Sequence, residues 1–423
     1  MILIISFIAL VGCTIVRQED QNDGNNNISQ EDTEEPIPEV EEPETEAEEP
    51  ETEEEPVTEV DKIKEQIDNM SLEEKIGQVL VVGLDGNALD NNAMEMINNF
   101  HIGGFILFKK NMEDTQQILN LINDLKEANT KNNIPLFFSV DEEGGIVSRM
   151  PNEFEKLPSS RIIGQHDNKE LSFRIGSVIA KEIKSFGFNM NFAPVLDIDS
   201  NPNNPVIGER AFGANEKIVS ESGIQTMKGI QSNGVISVVK HFPGHGDTSV
   251  DSHIGLPTVD KDLNSLLQFE LVPFINAIEN NADSIMVAHI VFNNIDPENP
   301  ATLSKPIITD LLREELNFEG LVITDDMTMG AIMENYDIGD AAVKSINAGS
   351  DIVLVCHGYE NQIMVLNAII DAVKTGIISE ERIDESLYRI IELKNKYELK
   401  DEIIEDVDID KINSDISSVL NET

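Results

Sequence analysis

Val235-Ile236-Ser237-Val238-Val239-Lys240-His241-Phe242-Pro243-Gly244-His245-Gly246-Asp247-Thr248-Ser249-Val250-Asp251-Ser252-His253-Ile254-Gly255-Leu256-Pro257 is the stretch on which the fold turns. Its first five residues form an apolar run that reads as a buried strand. Pro243 and the glycines at 244, 246 and 255 keep the chain beyond that run from being helical. Into this non-helical segment fall three of the chain's seven histidines, together with Asp247 and Asp251. A buried strand that ends in a loop dense in titratable groups is what an α/β barrel places at its chemically active face.

Outward from this stretch, short apolar runs alternate with amphipathic ones. Strands are expected at 78–83, 104–108, 136–141, 190–195, 235–241, 284–289, 321–325 and 352–356. Helical patterns lie between them, as at 114–128, 171–186, 263–279 and 340–348. Order begins near Val60, and Ser71 with Glu74 three positions on reads as a capping box. About eight β-then-α units predict an α/β fold of the (β/α)8 TIM type, one catalytic domain with C-terminal helices at 361–374 and 380–397 and then a polar end. An open doubly wound sheet has the same periodicity, but no Gly-x-Gly-x-x-Gly or P-loop follows any strand.

Composition narrows the partners. The 423 residues are 40% hydrophobic, enough for a large core, and carry a net charge of −49. About 20 of the acidic residues lie between Glu19 and Asp61, a span without Lys or Arg, so a large share of the charge is concentrated in a tail. Nucleic acid and anionic surfaces are repelled by such a chain. There is no Trp, so any stacking platform for a sugar comes from Phe, Tyr or aliphatic side chains.

Residues 1–12 form an apolar segment ending in Leu10-Val11-Gly12, followed by Cys13. The segment has the length of a signal h-region and is too short to span a bilayer, although no Lys or Arg precedes it. It resembles a bacterial lipobox, which implies lipidation of Cys13 and a place on the outer face of the cytoplasmic membrane. The competing reading is a buried apolar N-terminus. Residues 13–60 read as an acidic disordered tether, either a spacer or a solvated tail without a role. The ordered domain is expected over 61–423, and no disulfide is expected between Cys13 and Cys356.

Polar residues gather at the C-terminal ends of the apolar runs: Asp141, Asp197, Lys240, His241, His289 and Asp325. In a barrel these ends surround one pocket, and buried charge is costly unless paired or used. Asp325 and Asp326 follow one another, so regular strand alternation cannot aim both into the pocket. One is a candidate nucleophile; the other pairs with backbone or a nearby cation.

The Lys240–Pro257 stretch resembles the loop of family 3 glycoside hydrolases of the β-N-acetylglucosaminidase type, and the resemblance covers roughly residues 71–394. It implies that Asp251 and His253 form the acid/base dyad, because this branch replaces the usual second carboxylic acid with a His oriented by an Asp. Thr324-Asp325-Asp326-Met327 resembles the family's Ser-Asp-Asp-Leu, which makes Asp325 the nucleophile of a retaining double displacement. By the same resemblance Asp141, Arg210, Lys240 and His241 bind the sugar, and His289 and Asp326 support the site. At the family's usual Arg after Glu-Gly-Gly stands Ile146, with Arg149 further on, so the adjoining subsite is expected to differ. An imidazole titrates near neutral pH and, on a mobile loop, avoids a second anion beside Asp325.

The resemblance therefore implies an exo-acting hydrolase of terminal β-linked GlcNAc on cell-wall (GlcNAc-MurNAc) fragments, a lipid-anchored monomer needing neither cofactor nor metal. A phosphorylase would share the dyad, whereas a β-glucosidase would lack it. A sugar-binding lipoprotein without catalysis is the reading from another class. Zinc ligation by His241, His245, Asp247, Asp251 and His253 is the metal alternative, though Pro243-Gly244 breaks any helical register between the first two histidines. The run from Asp197 to Asn203 begins like a calcium loop, but its sixth position is Pro202 and its twelfth is Gly208.

Overall fold

The computed structural model describes residues 61–422; the leader 1–12, Cys13 and the tether to residue 60 lie outside them. Eight parallel strands build the domain: β1 Leu80–Gly83, β2 Gly104–Leu107, β3 Phe137–Val140, β4 Met190–Asn191, β5 Ile236–Phe242, β6 Ser284–Val287, β7 Leu321–Thr324 and β8 Val353–Val355. They pair in the order β8-β1-β2-β3-β4-β5-β6-β7. A bridge between Ile323 and Ile352, with Thr324 N donating to Ile352 O at 3.0 Å, joins β7 to β8 and closes the barrel. Every residue of these strands is buried, as continuous apolar runs covered on both faces require. The open-sheet alternative is thereby set aside.

Each expected strand is present, most of them shorter than its apolar run. The fourth shrinks most: Pro194 has no N–H for a ladder. There the Asn191 side chain substitutes, accepting from Glu142 N at 3.0 Å and donating to Glu142 O at 2.9 Å. The capping box at Ser71 forms, with Ser71 N donating to Glu74 Oε2 at 2.8 Å.

Two helical expectations need correction. The pattern at 263–279 is two helices, Leu263–Gln268 and Val272–Glu279. Pro273 cannot donate, and its ring crowds the carbonyl four residues back at Phe269, so the helix restarts. The polar end contains a helix, Ile409–Leu420, N-capped by Asp408. Ile412, Ile416 and Val419 bury its inner face, and Lys181 pairs with Asp415 at 3.0 Å. A helix at Pro306–Glu315 and a short parallel strand pair, Thr258–Val259 with Val291–Phe292, were not anticipated. The pair holds the far end of the loop that follows β5. No helix among the described residues is long and apolar enough to cross a membrane.

Candidate active site

The C-terminal ends of the strands surround a cavity of about 230 Å³. Its apolar wall includes Ile106, Phe192, Met286 and Leu354, all of them buried core side chains. Onto this base four groups of polar residues converge.

The first is a charge hub centred on Glu143, just beyond β3. Its carboxylate accepts from Arg210 Nε at 2.9 Å and Nη2 at 2.8 Å, and Lys240 Nζ lies 2.7 Å away. Lys240, only 2% exposed, also donates to Asp141 Oδ1 at 2.6 Å. Burial alone would raise the Glu143 pKa, but Arg210 and Lys240 outweigh it and hold the carboxyl well below its usual range. Burial works against Arg210 as well, and Glu143 more than restores its charge. Asp141 thus faces the cavity with one oxygen held by Lys240. Arg149 Nη2 stands 3.9 Å from the other.

Glu143→Gln is expected to destabilise the fold by about 3–5 kcal/mol, because Lys240 and Arg210 would keep buried charge without full compensation. Chemical denaturation of the variant checks this. The carboxyl is depressed in the folded state, so its contribution is complete above the ordinary carboxylate pKa of 4.5 and is lost only as pH falls through the lower folded value.

The second group is held by Asp197, which is fully buried. Its Oδ2 faces His241 Nδ1 at 2.6 Å, and its Oδ1 accepts from His245 N at 2.6 Å. Burial would raise this carboxyl, but His241 and His245 bring it below its usual value. With the Nδ1 proton toward Asp197, His241 Nε2 lies 3.5 Å from Arg210 Nη2. The β5–β6 register shifts between Val239 and Phe242, and across that irregularity Lys240 and His241 both line the cavity.

His245 is a strut. Its Nδ1 meets Thr248 Oγ1 at 2.9 Å and its Nε2 meets Ser252 Oγ at 3.0 Å. Burial brings its pKa down to about 4, so the ring is neutral near pH 7.

The third group ends β7. Asp325 Oδ1 accepts from Asp326 N at 2.8 Å, and among the described residues its Oδ2 takes no hydrogen bond. Burial favours the neutral acid, but His289, His241, the Asp326 amide and His253 together keep Asp325 below its ordinary pKa. It is therefore an anion with one oxygen open to the cavity. Asp326 also borders the cavity, contrary to the simple alternation argument, because the strand stops at Thr324 and the chain turns. Its Oδ1 is taken by Thr328 N at 2.9 Å, Thr328 Oγ1 at 2.7 Å and Cys356 N at 3.0 Å. Fully buried His289 braces this turn, donating from Nε2 to Asp326 O at 2.9 Å while Nδ1 meets Thr302 Oγ1 at 2.8 Å.

The fourth is the pair on the β5 loop. Asp251 Oδ1 accepts from His253 N at 2.9 Å and from its Nδ1 at 2.8 Å. Burial opposes ionisation of Asp251, but its bonds to His253 bring the carboxyl below its usual value. The arrangement leaves Nε2 as the ring's free nitrogen. The side chain of His253 is 64% exposed and borders the same cavity as Asp325. An anionic carboxylate and an oriented imidazole on one sugar-sized cavity can supply a nucleophile and a proton donor.

A profile of the glycosyl hydrolase family 3 N terminal domain matches residues 71–393. The chain belongs to this family. Beta-hexosaminidase A of Pseudoalteromonas piscicida is 38% identical over 326 residues, 71% of this chain but 54% of that protein, so the chain spans about half its length. A beta-hexosaminidase of Nitrosomonas eutropha is 32% identical over 323 residues, covering 74% of this chain and 91% of the relative. The structure of a glycoside hydrolase family 3 beta-N-acetylglucosaminidase from Paenibacillus sp. str. FPU-7 matches with a TM-score of 0.79 at 38% identity. That match covers 83% of this chain and 68% of the other.

In this family 3 glycoside hydrolase the geometry brings Asp141, Arg210, Lys240, His241, Asp325, Asp326 and His253 around one cavity, with Asp251 and His289 behind them. Sequence reasoning gave no role to Glu143, Phe108 or His357, and named Arg149 only as displaced from the family's usual position. Glu143 had a signal: a buried Lys and Arg demand a carboxylate, and three acids in a row end β3. Arg149 lines the cavity while Ile146 is 70% exposed. Phe108 and His357, ring centroids 5.0 Å apart, make an aromatic wall in a chain without Trp. They follow β2 and β8 and meet because both of these strands flank β1. Among the described residues no group of three or more His, Cys, Asp or Glu is arranged to hold a metal ion. Of the suggested zinc ligands, both ring nitrogens of His245 are already engaged by hydroxyls.

Proposed function

We propose that this glycoside hydrolase is a retaining exo-β-N-acetylglucosaminidase that removes terminal β-linked GlcNAc from GlcNAc-MurNAc cell-wall fragments or related oligosaccharides. The observation that carries the reading is the Asp251–His253 pair, whose imidazole borders the same cavity as anionic Asp325. The printed names of the relatives, beta-hexosaminidase and beta-N-acetylglucosaminidase, support the choice of sugar. Asp325 Oδ2 attacks the anomeric carbon, and the bond to the leaving oxygen breaks as His253 Nε2 delivers its proton there. Water then cleaves the glycosyl ester, giving its proton to His253 and restoring the Asp325 carboxylate. Two displacements at one carbon retain the β configuration. Lys240, Asp141, Arg210 and His241 hold the sugar's hydroxyl and carbonyl groups. The reading extends to place: Cys13 carries the lipid anchor, and the acidic tether spaces a monomeric domain from the outer face of a bacterial cytoplasmic membrane.

Product analysis tests the reaction. Incubating the full chain with GlcNAc-MurNAc and with chitobiose, with and without inorganic phosphate, is expected to release β-GlcNAc at a phosphate-independent rate. GlcNAc 1-phosphate as product would overturn hydrolysis, and the α-anomer as first product would overturn retention. No turnover of either disaccharide or of an aryl glycoside removes the catalytic reading.

A further inference from the structure

The turn after Asp325 leads into a short helix, Gly330–Met333, whose N-cap residue is Met329. A Met side chain offers no strong acceptor, yet the first amides of a helix need partners. They find them on the β5 loop. Gly330 N donates to His253 O at 3.3 Å, and Ala331 N donates to Ser252 O at 3.1 Å. Ser252 is buried, and its hydroxyl is bonded to the neutral strut His245. The loop backbone is therefore fastened from two sides at 252–253, while the His253 ring is held by Asp251 alone and keeps its Nε2 free.

The fastening depends on a missing side chain. A Cβ at position 330 would lie 2.6 Å from His253 O and 3.0 Å from Ile254 O. Both are backbone atoms, so the loop itself would have to withdraw. Gly255, in the same loop, provides the contrast: a Cβ there would meet only Val250 Cγ1 at an ordinary 3.7 Å.

We infer that Gly330 is a positioning residue for the acid/base dyad: the seat it provides sets where His253 Nε2 meets the leaving oxygen. The segment after β7 that carries the nucleophile thus also locates the proton donor. The inference rests on His253 being that donor.

The test is the dependence of kcat/KM, which reports formation of the glycosyl-enzyme, on leaving-group pKa, measured with a series of aryl β-N-acetylglucosaminides. Gly330→Ala is expected to lose about 10–100-fold on poorly departing phenols, a part of what general acid catalysis supplies. It should stay near wild type on dinitrophenol, which leaves unprotonated, while Gly255→Ala keeps the wild-type dependence throughout. A uniform loss across the series, or no loss, overturns the positioning role. His253→Ala separates this from the wider reading: if it too lacks the steeper dependence, both fall; if it alone shows it, only the role of Gly330 falls. Should Gly330→Ala fail to fold, Ala331→Pro removes the other amide donor in a first turn where proline is tolerated. It must then show the same selective loss for the inference to stand.

Discussion

Asp325→Asn is expected to lower kcat on N-acetylglucosaminides by at least about 10⁴-fold, with thermal unfolding close to wild type. Asparagine retains an acceptor for the Asp326 amide, so the turn after β7 keeps its hydrogen bond. What disappears is the anion whose open oxygen faces the cavity, and with it the covalent route. The steady-state rate and a melting curve together separate lost chemistry from lost structure. A mechanism-based fluorosugar adds a direct check. In the wild-type chain the label is expected on the peptide containing Asp325. A label on Asp141, Glu143 or Asp326 would end the assignment, although hydrogen bonds or ion pairs already hold those carboxylates.

His253→Ala is expected to cost about 10²–10⁴-fold in kcat/KM on disaccharides, whose leaving alkoxide must be protonated, and far less on dinitrophenyl glycosides. Stability should change little, because the ring is mostly solvent-exposed and its one side-chain partner is Asp251. Asp251→Asn should show the same selectivity with a smaller loss: the ring remains, but the anion that orients it and stabilises its charged form does not. Rates for the two variants on paired substrates check this. Equal losses on good and poor leaving groups would show that the dyad does not donate the proton.

The strand runs were legible because a parallel barrel buries its strands on both faces, so each reads as an apolar segment bounded by polar residues. The strand-end acids and the histidine-rich loop were legible for a related reason. Charged groups beside buried runs are costly unless they have work or partners, and a run such as Val235 to Val239 leading into Lys240-His241 announces both. Legibility failed where local periodicity was ambiguous. One amphipathic pattern covered two helices separated before Pro273, and the Ile412, Ile416 and Val419 stripe was hidden in a polar end.

Taken alone, the amino-acid order determined the alternation of eight strands with helices, because apolar periodicity is a local property, and its resemblance to family 3 glycoside hydrolases pointed to Asp325, Asp251 and His253. Only the tertiary structure decided which charges neutralise one another. It set Glu143 between Arg210 and Lys240, aimed Arg149 in place of Ile146, joined Phe108 to His357, and seated the dyad's loop on Gly330. Most of these contacts link segments far apart in the chain. They come into being when the strands pair side by side, and that pairing determines which neighbour each side chain meets.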